Sequence, residues 1–288
     1  HSTLVDYQKG GLVASGSELT ARVIDNEITG QGPTDVTGQN GVQISGSAAG
    51  VIKENTVSGH NYTPGSALAT DILLYGASES KTTVIENNEI SDSTAGVAVA
   101  GSANVDIGSN DFANNTWHVT DYTERVDVGT VFDANAFDAG AYTANEGGAS
   151  GQSVYSSVQQ AVDAADTGDT VQLSEGTFEI STENADGRLT NFSDGVTLTG
   201  AGEGETVLEA SANWGVYVNG TENVTLADLT VDGVDDGWGS ATVKAHYSSG
   251  LAVENVTATS GYIGFDLNDV RNSTLQDVAV TDHSALGA

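Results

Sequence analysis

The sequence feature that most constrains the fold is a repeat of paired short strands at a fixed offset. In each strand apolar residues alternate with polar ones, and the second strand follows the first by 13 residues. The clearest pairs are Val216 and Leu229, Val243 and Val256, and Phe265 and Val278. A fixed offset within units, with variable spacing between them, is typical of a solenoid. Each unit is then one coil, whose apolar residues are buried when neighbouring coils stack on it.

The first half of the chain carries the same offset, with an asparagine at one place in each coil. Val42 to Asn55 and Val97 to Asn110 are again 13 residues apart, and Asn88 to Asn110 gives a minimal coil of 22. The asparagines are Asn26, Asn55, Asn88 and Asn110. Asn tolerates the left-handed conformation at a tight corner, and stacked amides bond from coil to coil. We therefore predict an asparagine ladder at left-handed corners, with insertions at 29–40, 59–70 and 234–240 forming loops on one face.

The charge balance limits the partners of this chain. It has 8 Lys and Arg against 40 Asp and Glu, for a net charge of −32. Phosphate binding needs clustered Lys and Arg, so nucleic acid is excluded as a partner. The dense apolar pattern argues against disorder, and an acidic surface of this kind is typical of proteins adapted to high salt, where screening reduces self-repulsion.

Cysteine and long apolar runs are both absent from the sequence. Without cysteine there is no disulfide frame, thiol chemistry or cysteine metal site. No apolar run has the length of a membrane span. The repeat pattern is already under way at His1 and is unfinished at Ala288. We therefore expect a period or fragment of a longer extracellular or cell-surface array.

One segment has the periodicity of a helix. Ser156 and Ser157 are candidate N-caps, and Gly168 suits a C-cap. The apolar residues between them recur at helical spacing: Val158, Ala161, Val162 and Ala165. We predict an amphipathic helix that covers the open end of a solenoid, an edge that would otherwise be exposed for pairing.

The segment 156–171, followed by Glu175-Gly176-Thr177-Phe178, resembles the opening of a right-handed parallel β-helix of the pectate-lyase-like superfamily. Residues 195–208 resemble the first full coil of that superfamily. The resemblance implies an all-β fold, a right-handed parallel β-helix with one short capping α-helix. Residues 1–128 then form the C-terminal coils of one β-helix, 129–152 a linker, and 153–288 the capping helix and N-terminal coils of a second. Similar layouts occur in tandem β-helix surface proteins of halophiles.

Three functions fit this organisation. The first expectation is a structural module of a surface filament or array, in which copies stack head to tail because contacts between unlike surfaces do not close. The second is a carbohydrate-binding adhesin that contacts surface polysaccharide through aromatic residues near the insertions. The candidate aromatic residues are Tyr62, Trp214 and Trp238.

The third function is a carbohydrate-active enzyme, a polysaccharide lyase or epimerase. Alternation along the strands places Lys244 and Asp266 in one outward column with Tyr217, and His246 in the next. β-Elimination from a uronic acid needs a base for the C5 proton and a cation for the carboxylate, which these types supply. A solvated face with a salt bridge explains the same residues. The Asp-Pro-His-Glu run of mannuronan epimerases and the Gly-His-Gly and Arg-Ile-Lys runs of polygalacturonases are absent.

Cations and glycans are further candidates. Asp232, Asp235 and Asp236 cluster in one loop, and Asp163, Asp166 and Asp169 cluster at the predicted helical cap. Such oxygen clusters suit calcium. The glycine-rich repeat of calcium-binding β-rolls is absent, and a hydrated acidic surface also explains the clusters. No other cofactor is expected. Seven Asn-x-Ser/Thr sequons are candidate glycosylation sites: Asn61, Asn114, Asn191, Asn219, Asn223, Asn255 and Asn272.

Overall fold

The structure is a computed structural model that describes residues 1–63, 68–123, 126–144, 153–180 and 187–284. It divides into two units, His1–Asp138 with Gly148–Ser156, and Ala139–Gly147 with Ser157–Ala288. Each unit is a stack of coils made of short parallel strands. This confirms the predicted all-β parallel β-helix.

The first unit contains fourteen described strands before one helix and two after it. They are β1 (Ser2–Leu4), β2 (Gly10–Ser15), β3 (Thr20–Ile24), β4 (Asn26–Thr34), β5 (Asn40–Ser45), β6 (Ala49–Lys53), β7 (Thr56–Tyr62), β8 (Thr70–Tyr75), β9 (Thr83–Glu86), β10 (Glu89–Ser91), β11 (Ala95–Ala100), β12 (Val105–Gly108), β13 (Asp111–Ala113), β14 (Trp117–Asp121), α1 (Val128–Ala134), β15 (Ala136–Phe137) and β17 (Ser153–Tyr155).

These strands form the three faces of one solenoid. The parallel orders are β1-β4-β7-β10-β13-β15, β2-β5-β8-β11-β14 and β3-β6-β9-β12. Inward residues stack in register, and one such column, made of Val42, Ile72, Val97 and Val119, is fully buried. Burying a side chain of this size contributes about 1.5–3 kcal/mol. Antiparallel pairing with β17 covers the last strand of the second face.

The predicted asparagine ladder is present, and it extends one coil further than expected. The Oδ1 atom of each asparagine accepts bonds from the backbone N–H and the Nδ2 of the preceding one, at 2.8–3.0 Å, from Asn26 through Asn55, Asn88 and Asn110 to Asn135. Asn55, Asn88 and Asn110 are at most 2% exposed. The ladder therefore satisfies buried polar groups that would otherwise destabilise the fold.

The left-handed corners are displaced by one residue from the prediction. Asp25, Glu54, Asn87 and Ser109 have positive φ, and each directly precedes a ladder asparagine. The reason is a local bond: Nδ2 of Asn88 donates to the carbonyl of Glu86 at 3.1 Å, around the left-handed residue between them. Asn26, Asn55 and Asn110 make the same bond, whereas Asn135 donates to the carbonyl of Val131 in α1. The asparagine therefore fixes the corner from the next position.

Two of the predicted insertion loops are partly strand. Residues 29–34 extend β4 and residues 59–62 extend β7, and the extensions pair with each other after a register shift between Thr29 and Gly32. The reason is that neighbouring coils carry insertions at the same place, so each supplies the other with backbone partners.

The second unit contains one helix and twelve strands among its described residues. They are β16 (Ala141–Ala144), α2 (Val158–Asp163), β18 (Thr170–Leu173), β19 (Gly176–Glu179), β20 (Thr197–Thr199), β21 (Thr206–Glu209), β22 (Trp214–Asn219), β23 (Thr225–Asp232), β24 (Ala241–His246), β25 (Ala252–Thr259), β26 (Ile263–Asn268), β27 (Thr274–Gln276) and β28 (Ala279–Thr281).

Long strands bend to serve two faces in this unit. The first half of β23 pairs with β20 and the second half with β21, and the bend lies at Asp228, which has φ 54°. Asn255 bends β25 in the same way and donates to Asp228 at 2.8 Å. The third face is the parallel sheet β22-β24-β26, which carries the residues discussed below. β16 pairs antiparallel with β18 and covers its edge.

The predicted helix is confirmed as α2, with Ser157 as its N-cap accepting from the backbone of Gln160 at 3.1 Å. It ends at Asp163, earlier than predicted. Asp169 accepts from the backbone N–H of Asp166 at 2.8 Å, and this local bond holds the chain in a turn that includes Gly168. The residues predicted as a linker contain α1, β15 and β16, so the sequence pattern missed a helix capped by Asp127. Neither described helix is long and apolar enough for a membrane span.

A polar chain lies inside the first unit. The hydroxyl of Tyr7 bonds Nε2 of His60, whose Nδ1 lies 2.6 Å from Oδ1 of Asp71; the same oxygen accepts from Ser93 at 2.7 Å. His60 and Asp71 are fully buried. Space for the imidazole comes from Gly41, where an added Cβ would lie 2.9 Å from the ring. Because His60 and Asp71 are closed to solvent, we assign this hydrogen-bonded chain a structural role.

We expect the replacement Asn88→Ala to destabilise the first unit by about 2–4 kcal/mol, because it leaves the backbone N–H of Asn55 buried without its partner. The midpoint of urea unfolding, followed by circular dichroism, measures the effect. Asn104→Ala is the matched control, since Asn104 bonds Thr82 at an exposed position, and its effect should stay within about 0.5 kcal/mol. Equal effects of the two replacements would contradict a structural ladder.

The buried pair also predicts a pH dependence. Burial lowers the pKa of His60 to about 4 and raises the pKa of Asp71 well above its usual value. Between about pH 4 and 6.5 the folded pair, with neutral His60 and protonated Asp71, binds as many protons as the unfolded chain, whose histidine is charged and aspartate ionised. Above about pH 6.5 the unfolded chain loses its histidine proton, while the folded pair keeps the proton on Asp71 until the pH passes the raised pKa of that carboxyl.

Stability should therefore fall as the pH rises above about 6.5, by about 1.4 kcal/mol per pH unit for one proton. The measurement is the thermal unfolding midpoint from pH 6.5 to 8.5, for the protein and for Asp71→Asn, which cannot carry the titrating proton. The variant should lose this slope. A midpoint that rises with pH, or a slope equal in both proteins, would refute the assignment.

Candidate functional site

The face β22-β24-β26 brings the predicted polar residues together. Its strands are in register, so Tyr217, Lys244 and Asp266 form one outward column, and Asn219, His246 and Asn268 form the next. Lys244 and Asp266 form an ion pair at 2.7 Å, with side chains 16% and 26% exposed. The predicted juxtaposition is therefore present, while the catalytic role assigned to it stays a prediction.

An aromatic pair lies beside this column. The rings of Trp214 and Tyr217 are 4.8 Å apart and tilted by 38°. The ammonium of Lys244 lies 4.7 Å from the centre of the Trp214 ring. Cations are attracted to the faces of aromatic rings, most strongly to Trp. The ring and Asp266 together hold Lys244 in one position on the face.

Arg188 is a second cation at the same place, and sequence reasoning missed it. Its guanidinium carbon lies 4.9 Å from the Trp214 ring centre and 5.3 Å from that of Tyr217. The bridge between Leu189 and Val216 brings this segment beside β22. Arg188 lies outside the clear repeat pattern, so only its scarcity, as one of 8 basic residues, marks it in the sequence.

The site gathers scarce basic residues of a strongly acidic protein. Among the described residues, Arg188 and Lys244 both contact the aromatic pair, and Asp266 pairs with Lys244. Arg188, Lys244 and Arg271 are also all the Lys and Arg of the second unit. Such a concentration of scarce cations favours a ligand that carries negative charge.

The loop at 234–240 borders this face. Trp214 donates through its Nε1 to the carbonyl of Gly239 at 3.1 Å. Trp238, in the same loop, is 94% exposed. An exposed aromatic ring beside a polar face is suited to stacking on a sugar ring. Tyr62, the third aromatic residue predicted to bind carbohydrate, ends β7 in the first unit. Of the three predicted aromatic residues, Trp214 and Trp238 therefore belong to the second unit.

The acidic clusters do not gather into a metal centre in the part of the chain that the structure describes, where no group of three or more His, Asp or Glu side chains is placed to hold a metal ion. Asp235 accepts from the backbone of Gly237 at 3.1 Å, and bonds from Ser284 and from Gly237 lower its pKa. Asp163 accepts from Gln159 at 2.8 Å. Both acidic side chains therefore have protein partners, and calcium binding stays a prediction.

Five of the seven sequon asparagines have positive φ, namely Asn114, Asn191, Asn223, Asn255 and Asn272. Asn is among the residues that adopt this conformation most readily. The left-handed backbone at these corners therefore explains the presence of asparagine there without glycosylation. Glycosylation at these five, and at Asn61 and Asn219, stays a prediction.

Comparison with known proteins gives one family and distant relatives. The family described as "Right handed beta helix region" matches residues 1–178, more than half of the chain. Mannuronan C5-epimerase AlgE3 of Azotobacter vinelandii is 30% identical over 195 residues, covering 58% of this chain and 10% of that protein. AlgE1 and AlgE5 of the same organism, also mannuronan C5-epimerases, are 32% identical over 174 residues, covering 51% of this chain and 12% and 17% of theirs.

The chain thus spans a small part of the length of these curated relatives. No solved structure matches it. The family match agrees with the stacked parallel strands, the buried inward columns and the asparagine ladder described above. The chain belongs to the right-handed β-helix family.

Proposed function

We propose that this protein is carbohydrate-active and that the face β22-β24-β26 acts on uronate residues of an acidic polysaccharide. The observation that carries the proposal is the meeting of Arg188 and Lys244 on the rings of Trp214 and Tyr217. The similarity to mannuronan C5-epimerases supports the choice of a uronate substrate.

The residues of the face match the chemical needs of a uronate. The proton at C5 is adjacent to the carboxylate, and its removal places negative charge on that group. Lys244 and Arg188 supply positive charge to stabilise it, while a sugar ring stacks on an exposed part of the aromatic pair. Asp266 holds Lys244 in place before the substrate carboxylate arrives.

Proton transfer requires groups that accept and return a proton. Tyr217 and His246 are such groups, and both point outward from this face. Epimerisation removes the C5 proton and returns one to the opposite side of the ring. Elimination instead breaks the bond from C4 to the glycosidic oxygen, which leaves with a proton. The face supplies the charge needed for either reaction, and the products distinguish them.

The net charge of −32 opposes the approach of an acidic polymer. At high salt the screening length falls to about 3 Å at 1 M, so distant repulsion is removed while close contacts on the face remain. An acidic surface and a locally basic face are therefore compatible in concentrated salt, and activity should be assayed at both low and high salt.

We expect Lys244→Met to reduce the reaction on polymannuronate by about 10²–10³-fold, as for loss of a charge-stabilising group, and Tyr217→Phe by about 10²–10⁴-fold if its hydroxyl transfers the proton. The measurement is deuterium incorporation at C5 in D₂O, read by NMR, together with ultraviolet absorbance of unsaturated products.

Lys53→Met and Tyr75→Phe are the matched controls. Lys53 also forms an ion pair on an outward strand position, with Glu86 at 3.1 Å, and Tyr75 is an exposed tyrosine at the end of β8; both belong to the first unit. Neither control should change the reaction. Failure of the protein to react with any uronate polymer, or equal effects of the Lys244 and Lys53 replacements, would overturn the proposal.

The other sequence expectations stand apart from this proposal. End-to-end stacking into a filament, adhesion, adaptation to high salt and an extracellular or cell-surface location stay predictions. The findings on fold and similarity favour the carbohydrate-active alternative over the filament.

A further inference from the structure

A cavity of about 410 Å³ opens at the turns that follow β22, β24 and β26. This volume lies within the range of small-molecule sites. The residues that line it include Tyr247, Arg271, Glu222, Asp269, Thr221 and Ser249. An aromatic ring, a cation and several hydrogen-bonding groups are what recognition of an acidic sugar requires.

Tyr247 occupies a backbone position that tyrosine rarely adopts. It is in register with Gly220 and Asp269, and all three have positive φ, at 68°, 51° and 53° for Gly220, Tyr247 and Asp269. Gly and Asp suit this corner, whereas a bulky side chain is strained there. The ring is 65% exposed and stacks on His246 at 3.8 Å, so burial does not explain its presence.

Two further residues that line this cavity, Thr221 and Arg271, have side-chain polar groups without a partner among the described residues. The hydroxyl oxygen of Thr221 is buried and accepts or donates no hydrogen bond within the described part of the chain. Arg271 is exposed and forms no ion pair with a described residue, although Asp and Glu outnumber Lys and Arg five to one in the chain. Backbone bridges join Arg271 to Ser249 and Ser249 to Glu222, which fixes the segment of Arg271 beside the cavity.

We propose that this cavity is a subsite that binds a second uronate residue of the same polysaccharide chain, an inference that rests on the proposed function. Arg271 pairs with the carboxylate, Tyr247 stacks on the sugar ring, and Glu222 and Asp269 accept bonds from sugar hydroxyls. Tyr247 follows Lys244 by three residues, a separation of roughly 10 Å at the rise of a strand. A linear polymer therefore contacts both places at once.

The experiment is a calorimetric titration of the full chain with mannuronate oligosaccharides, at low and high salt. We expect Arg271→Gln and Tyr247→Gly each to weaken binding on the order of 10-fold to 100-fold. The controls are Arg22→Gln and Tyr75→Gly, at exposed positions in the first unit. The exposed fraction of Tyr75, 63%, is similar to that of Tyr247. Their affinities should equal that of the unmodified protein.

Tyr247→Gly also separates binding from folding. Glycine fits the left-handed corner, as Gly220 shows in the neighbouring coil, so the thermal unfolding midpoint should stay equal or rise while affinity falls. A variant that loses affinity only because it unfolds would show a lower midpoint. That result, together with unchanged affinity in Arg271→Gln, would overturn the subsite.

The outcomes distinguish this inference from the function on which it rests. If the protein reacts with polymannuronate and both variants bind as well as the unmodified chain, the subsite alone is wrong. If the protein binds oligosaccharides without deuterium incorporation and both variants bind weakly, the subsite stands and the enzymatic proposal falls. If the protein neither reacts nor binds, both are overturned.

Discussion

In-register stacking of one coil on the next is the constraint on which the rest of this structure depends. Within each parallel sheet a strand pairs with the strand of the neighbouring coil, so side chains at the same position become neighbours. Inward columns then become continuous apolar cores, as in Val42, Ile72 and Val97. A polar residue in an inward column must find its partner in the next coil, and Asn88 does so through Asn110 at 2.8 Å.

The same stacking builds the candidate site. A face of parallel strands turns single residues that are far apart in sequence into a column, as with Tyr217, Lys244 and Asp266. The side chains need no separate loops to converge, because the register already fixes their spacing to one inter-strand distance of roughly 4.8 Å. The rigid core beneath such a column holds charged groups in place, which preorganised electrostatic stabilisation requires.

Features with a clear period, the repeat and the helix α2, could be predicted from the sequence, whereas features of the segments without a period could not. The offset of 13 residues led to the correct register for Lys244 and Asp266, and to four members of the ladder. Asn135 and Arg188 were missed because their segments break the period, and their positions depend on packing that only the folded chain defines. The corner was misplaced by one residue, since the propensity of Asn for left-handed backbone competes with its side-chain bond to the carbonyl two residues before it.

The strained backbone of Tyr247 and the charge of Arg271 lie at the same cavity of the second unit. A left-handed tyrosine is unfavourable where glycine serves the neighbouring coil. On a chain of net charge −32, Arg271 has no ion pair with any described residue. Folding alone favours neither, because Tyr247 is exposed and Arg271 supports no ion pair among the described residues. Local rules of propensity and pairing are broken together at one cavity, three residues along from the ion pair of Lys244. Violations of this kind concentrate where a protein contacts its ligand, since only there does an interaction absent from the free protein compensate for them.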